Sequence, residues 1–142
     1  MKMSTHGRYG LRFMIDLAAN GGAGPVPLKA VAQRQGISMK YLWHIVRLLR
    51  QAGLIKSRRG LRGGYLLAQP PDKITVADIV MNLEGGCLTV DCVRDNATCK
   101  RSSVCQAHAL WRRLERDWVG AMARVSLQEL LGKPGPSDDY VI

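Results

Sequence analysis

With 142 residues, 46% hydrophobic and 23% charged, the chain can bury one modest core, which excludes two large independent domains. No apolar run approaches the roughly 20 residues of a membrane helix, and the polar, basic start of the chain lacks the apolar region of a signal peptide, so a soluble, cytoplasmic protein is expected. The net charge of +10 is lopsided: residues 1–69 carry 12 Lys and Arg against Asp16 alone, a net +11, while residues 70–142 carry 9 bases against 10 acids, a net −1. A basic first half is the footprint of a polyanion-binding module, with nucleic acid or an anionic membrane surface as candidates.

Tyr9, Leu11, Phe13, Met14, Leu17 and Ala18 recur at helical spacing and stop at Asn20-Gly21-Gly22, which predicts a first helix with a glycine exit. Pro25 and Pro27 mark a turn, with Pro27 suited to the first position of a short helix over Leu28, Val31 and Ala32 that Gly36 closes. Ser38 is a candidate N-cap for a third helix whose core stripe is Leu42, Ile45, Val46 and Leu49. Two helices joined by a short glycine turn form a helix-turn-helix.

At about 100° per residue, Lys40, Trp43, His44 and Arg47 project away from that stripe. A charged helix face alone usually means only solvation. The next segment strengthens the case: Leu54–Ser57 and Tyr65–Ala68 are short strand candidates around Arg58-Arg59-Gly60-Leu61-Arg62-Gly63-Gly64, a hairpin with a cationic, glycine-rich tip. Arginine forks suit phosphates and base edges, and glycines allow close approach. Helix-turn-helix followed by a basic hairpin describes a winged helix, and DNA binding is favoured over a merely solvated basic surface.

Pro70 and Pro71 end the hairpin, and Thr75 can cap a short helix running to Leu83. Beyond the cysteine stretch, Leu110, Trp111, Leu114, Trp118, Met122 and Val125 recur at three- and four-residue steps, opposite Arg112, Arg113, Glu115, Arg116 and Asp117. The pattern predicts one helix from about Ala107 to Leu131, roughly 36 Å long. Self-association through the Leu and Trp stripe is favoured over packing back on the chain's own core, which makes a homodimer the expected assembly. A fold that is mainly α is therefore expected, with a winged helix-turn-helix domain, a small β-hairpin wing and a long C-terminal dimerisation helix. Its segments are a DNA-binding domain over 1–83, a cysteine-rich loop over 84–106, the dimerisation helix over 107–131 and a disordered tail over 132–142.

All four cysteines fall in nineteen residues, Cys87 to Cys105, with six residues between Cys92 and Cys99, five between Cys99 and Cys105, and His108 close behind. Clustered thiols in a reducing compartment point to metal ligation or redox chemistry. Wide gaps without a Cys-x-x-Cys pair favour an iron-sulfur cluster, while a thiol switch, a zinc site and ordinary free cysteines remain alternatives. His108 reads either as a ligand or as a partly exposed residue at a helix start. Cys87 reads as a fourth ligand, a resolving thiol or a small loop residue. There is no Ser-His-Asp ordering, phosphate-binding glycine loop or His-Glu-x-x-His, so an enzyme is not expected. A cluster-carrying redox or assembly protein that never binds DNA is the reading from another class.

Tyr41-Leu42, Leu48-Leu49, Ala52-Gly53-Leu54-Ile55, Arg59-Gly60-Leu61-Arg62-Gly63-Gly64-Tyr65, the three spaced cysteines and His108-Ala109-Leu110-Trp111 resemble the Rrf-two family of regulators over residues 1 to about 131. The resemblance implies a homodimeric winged-helix transcription factor whose cluster state, sensing iron, redox or nitric oxide status, alters binding to promoter DNA. By position, Cys92, Cys99 and Cys105 match the three cluster cysteines and His108 the histidine ligand of the IscR-like branch, which implies a 2Fe-2S cluster ahead of a 4Fe-4S one. The NsrR-like branch uses an acidic residue near the N-terminus, where this chain has His6-Gly7-Arg8-Tyr9. The first cysteine gap is six residues where five is usual, Cys87 is additional, and Trp43 stands where the IscR-like branch has an acid that discriminates sites. Ser38 to Arg50, with Tyr41 among its residues, is expected to read the major groove, and Arg58 to Tyr65 to grip the adjacent minor groove or backbone of a palindromic operator.

Overall fold

Ser4 opens α1 (Thr5–Asn20) by accepting the Gly7 N–H on its hydroxyl at 3.2 Å, in a computed structural model that describes residues 2–86 and 89–132. Phe13, Met14 and Leu17 form the buried stripe of this helix. Gly7 and Gly10 let it lie close on α4 (Val76–Leu83) and the residue after it, because a Cβ on Gly10 would strike Leu83 Cδ1 and one on Gly7 would strike Glu84 Oε1.

Pro27 sits one position earlier than its helix propensity suggested, as the N-cap of α2 (Leu28–Gln35). Gly36, at φ +63, ends that helix in the left-handed conformation glycine adopts without strain, and its N–H returns to the Ala32 carbonyl. Ser38 then caps α3 (Met39–Gln51), accepting the Tyr41 N–H at 3.2 Å. Leu42, Ile45, Val46 and Leu49 are all buried, each worth about 1.5–3 kcal/mol relative to exposure.

The chain leaves α3 into β1 (Ile55–Arg58), which pairs antiparallel with β2 (Gly64–Leu67); Ile55 lies opposite Leu67 and Arg58 opposite Gly64. These strands are offset by one residue from the expected spans. Val26, ahead of α2, joins the hairpin through two reciprocal backbone bonds with Tyr65, each 2.9 Å. The wing is thereby fastened to the loop that introduces the helix-turn-helix. A winged helix, mainly helical with one two-stranded hairpin, is the observed architecture.

Thr75 and Asp78 form a reciprocal capping box at the start of α4. After α5 (Asp91–Arg94) and a 3-10 turn over Asn96–Thr98 comes α6 (Gln106–Ala123). The expected continuous helix to Leu131 is corrected here: α6 has 18 residues, about 27 Å. Ser126 and Glu129 then make a second capping box that starts α7 (Leu127–Leu130). The break returns Leu127 to the core, fully buried beside Phe13, Leu17 and Ile74 in one cluster. Backbone bonds from Val76 to Val125 and from Leu127 to Ile74, 2.9 and 2.8 Å, hold the turn. Burying Leu127 and capping a new helix outweigh one more turn of α6.

Among the described residues no helix is long and apolar enough to cross a membrane. Cys87 lies outside the described residues, and so does all but Gly132 of the tail expected to be disordered.

Candidate nucleic-acid interface and cysteine loop

Asp16, the one acid of the basic half, is 4% exposed and held by α2. Arg34 donates from Nη2 to one carboxylate oxygen at 2.6 Å and from Nε to the other at 3.0 Å, and Gln35 Nε2 adds a bond of 2.9 Å. Burial pushes the Asp16 carboxyl up, but the bonds from Arg34, Gln35 and Asn20 outweigh it and hold the group below the usual carboxylate range. The same bond raises Arg34 above its ordinary value. With this acid tied inward, no carboxylate of residues 1–69 opposes the basic surface.

On α3, Lys40, Trp43, His44 and Arg47 are exposed, as the helical spacing predicted, and Trp43 is 55% exposed. Ser38 is exposed at the helix start. Trp43, His44, Arg47, Arg50 and Gln51 flank an open cleft of about 590 Å³. Tyr41 is half-buried, its ring stacked on His6 of α1 at 5.2 Å between centroids and met edge-on by Tyr9 at 5.6 Å.

In the wing, Arg58, Arg59 and Arg62 are exposed around Leu61. Together with Ala23, Gly24, Pro25 and Pro27 they line a groove of about 570 Å³. Gly63 and Gly64 are required by crowding: a Cβ on Gly63 would meet the Arg58 carbonyl, and one on Gly64 the Val26 carbonyl. Tyr65 is a correction to the expected contact set. Its ring is buried in the core, edge-on to Phe13 at 6.5 Å, so it fixes the hairpin to α1 and has no surface to offer a groove.

In the cysteine loop, Asp91 pairs with Arg94 at 2.9 Å across α5. Asp95 caps the following turn by accepting the Ala97 N–H. His108, expected to be a ligand or a partly exposed residue, is 5% exposed on the first turn of α6, with Nδ1 3.5 Å from Cys92 Sγ. Cys92, Cys99 and Cys105 are half-buried free thiols. Cys92 and His108 are thus brought together, whereas no group of three or more His, Cys, Asp or Glu side chains is gathered around one point among the described residues. Along α6, His108 and Glu115 are buried and Trp111, Leu114 and Met122 half-buried, while Leu110 and Trp118 are 49% and 45% exposed.

The Rrf2 family model, described as an iron-dependent transcriptional regulator, matches residues 3–133. This chain belongs to the Rrf2 family. Against the Rrf2 protein of Nitratidesulfovibrio vulgaris it is 40% identical over 131 residues, covering 92% of this chain and 87% of that one. The solved structure of CymR, the global cysteine regulator of B. subtilis, matches with a TM-score of 0.75 at 38% identity over 95% of this chain and 99% of that one. The T. potens IscR structure matches at 0.74 and 38% identity, over 92% and 86%. As an Rrf2 member with a winged helix, the chain is a DNA-binding transcriptional regulator.

Sequence reasoning missed His6, Asp16 and Leu127. Asp16 was visible as a lone acid one residue before core Leu17, and Leu127 as the residue that follows Ser126 inside a Ser-x-x-Glu capping box. No sequence signal placed His6 against Tyr41.

Proposed function

We propose that this Rrf2 regulator binds promoter DNA through α3 and the wing, and that an iron-sulfur cluster on Cys92, Cys99, Cys105 and His108 sets its affinity. The approach of Cys92 to buried His108 carries the reading, because it puts a thiol and an imidazole together at the root of α6. The resemblance of this ligand set to the IscR-like branch implies a 2Fe-2S cluster ahead of a 4Fe-4S one. Cys92 Sγ and His108 Nδ1 lie 3.5 Å apart, and no group of three or more His, Cys, Asp or Glu side chains is gathered around one point among the described residues. When bound, the cluster supplies a charge and a ligation state that respond to iron, redox or nitric oxide. His108 ties that state to α6. Leu110, Trp111, Leu114, Trp118, Met122 and Val125 contribute to a homodimer contact, and two-fold symmetry then calls for a palindromic operator with half-sites about one helical turn, or a multiple, apart.

The test is anaerobic purification with iron, sulfide and visible-absorbance measurements, followed by footprinting on the protein's own promoter. Coloured protein that loses its absorbance in Cys92→Ala, Cys99→Ala, Cys105→Ala and His108→Ala is the expected result. A second reading, regulation through thiols without a cluster, draws on the likeness to CymR, named a global cysteine regulator. Colourless protein with a reversible disulfide would favour it. Stoichiometric zinc would favour a zinc-stabilised regulator, and a cluster without a footprint a redox or assembly protein.

A further inference from the structure

Leu61, at the tip of the wing, is 109% exposed, the most exposed large hydrophobic side chain among the described residues. A single leucine in water is ordinary; its setting is not. It occupies the second position of a turn, Gly60-Leu61-Arg62-Gly63, closed by a bond of 3.0 Å from the Gly63 N–H to the Gly60 carbonyl. Gly60 stands at φ +113, a conformation that glycine adopts without strain. A Cβ on Gly63 would run into the carbonyls of Arg58 and Gly60, so the tip is folded tightly on itself. Arg59 and Arg62 flank the leucine, both exposed. At its other end the hairpin is fixed: Tyr65 exchanges backbone bonds with Val26, and its ring is buried against Phe13. One apolar side chain is thus carried into solvent on a narrow, cationic arm rooted in the core.

We propose that Leu61 is a wedge that enters the minor groove, partly unstacks one base step and kinks the operator, so that the regulator bends DNA as well as binding it. The inference rests on the wing lying against DNA. The minor groove is about 6 Å wide and presents hydrogen-bonding edges that a leucine has no means of using. What it offers an isobutyl group is the apolar face of a base pair, uncovered when a step opens. Opening costs stacking energy, which is offset by burying a side chain otherwise wholly in water and by two guanidinium groups placed to hold the phosphates on either side. Apolar wedges of this kind kink a duplex by about 20–90°. The cost also depends on the step. Pyrimidine–purine steps unstack most easily, so Leu61 gives the protein a sequence preference at a position where it reads no base edge.

The experiment uses the full chain and a duplex of about 30 base pairs selected by it in vitro. The duplex carries a fluorophore at each end for energy transfer, and 2-aminopurine, which brightens when unstacked, replaces each adenine of one half-site in turn. Binding of wild type should bring the ends together as a bend of about 20–90° requires, and one 2-aminopurine should brighten. Leu61→Ala should keep the slope of log affinity against log salt, because both arginines remain. It should nevertheless bind about three- to thirtyfold more weakly, straighten the duplex and lose the brightening. Leu61→Met restores an apolar wedge and should recover affinity, bend and brightening together. Both substitutions fall on an exposed side chain and leave the fold intact. Exchanging TpA for ApT at the brightened step keeps the minor-groove acceptors and changes only the stiffness. That exchange should weaken wild type and leave Leu61→Ala unaffected. Equal bending and brightening by wild type and Leu61→Ala, or a straight duplex with both, overturns the wedge alone. Failure of wild type to select any duplex, or unchanged affinity and salt slope when Arg59 and Arg62 are both replaced with Gln, overturns the placement of the wing on DNA.

Discussion

Glu84 Oε1 accepts hydrogen bonds from both the backbone N–H and the hydroxyl of Ser4, at 3.0 and 2.7 Å. The residue that ends α4 and leads toward the cysteine loop therefore also closes the first turn of α1, the turn that carries His6 against the recognition helix. A carboxylate at a helix N-terminus satisfies otherwise orphaned donors and opposes the helix dipole. Glu84→Ala should destabilise the protein by about 1–2 kcal/mol, read by urea denaturation, and Glu84→Gln by less. Equal stability of Glu84→Ala and wild type would remove the clasp from this account.

Asp16 gives a second stability test with a defined pH window. Its folded carboxyl lies below the ordinary value of 3.8. The stabilisation is therefore complete above that value and is lost as pH falls through the lower folded one. Asp16→Asn should cost about 1–3 kcal/mol at pH 7, reduced from the cost of a fully buried pair because the Arg34 side chain is 40% exposed. The gap between variant and wild type should shrink below about pH 4. Denaturation curves at pH 7, 5 and 3 check it; a gap that stays constant contradicts the ion-pair assignment.

Gly64→Ala should remove the wing's attachment rather than its charge. The new Cβ would meet the Val26 carbonyl and Pro27 nitrogen, backbone atoms that cannot rotate aside, and the residue stands at φ +156. A loss of about 2 kcal/mol or more is expected, together with faster amide exchange at Val26 and Tyr65, whose N–H groups form the paired bonds. Unchanged protection at both amides would show the hairpin to be anchored elsewhere.

The parts of the fold that the sequence made legible are those written in local periodicity and turn chemistry. The α3 stripe, the Ser38 cap, the Thr75 cap and the Arg-rich hairpin tip all depend on neighbours within a few residues. Tyr65 was misplaced because a strand residue faces either core or solvent according to its register, and here that register is set partly by Val26, thirty-nine positions away. The end of α6 was misplaced because the apolar repeat continues through Val125 to Leu127 while the direction of the chain changes; the capping box decides, and periodicity alone cannot see it. In the candidate site, spacing singled out the cysteine stretch and left His108 as either a ligand or a partly exposed residue; His108 is buried with Nδ1 3.5 Å from Cys92 Sγ. The apposition of His6 and Tyr41 belongs to two helices packed in three dimensions and leaves no trace in either helix's pattern.

Arg59 and Arg62 lie on the exposed wing tip with no carboxylate partner among the ion pairs of the described residues. Replacing both with Gln should leave stability within about 0.5 kcal/mol while lowering the slope of log affinity against log salt by about two. If each arginine contacts only phosphate, the loss is uniform across operator sequences; a loss confined to one base position would mean base readout by that arginine. Retained affinity with an unchanged salt slope sinks the wing assignment.

Exposed Leu110 and Trp118 on α6 give a test of the proposed dimer. Trp118 lines a trough of about 500 Å³ with Val76, Asp117, Ala121, Met122 and Val125, and Leu110 is exposed two turns earlier on the same helix. Each is a large apolar group left in water while His108 and Glu115 occupy the inner side. Trp118→Glu combined with Leu110→Glu should therefore barely disturb the single chain but place charge in an apolar contact, where an unpaired carboxylate costs several kcal/mol. Sedimentation should show a dimer for wild type and a monomer for the double variant, with helical content retained by circular dichroism. DNA affinity should fall steeply, because a monomer engages one half-site and loses the high effective concentration that linkage gives the second. A double variant that still sediments as a dimer would move the contact off this face of α6.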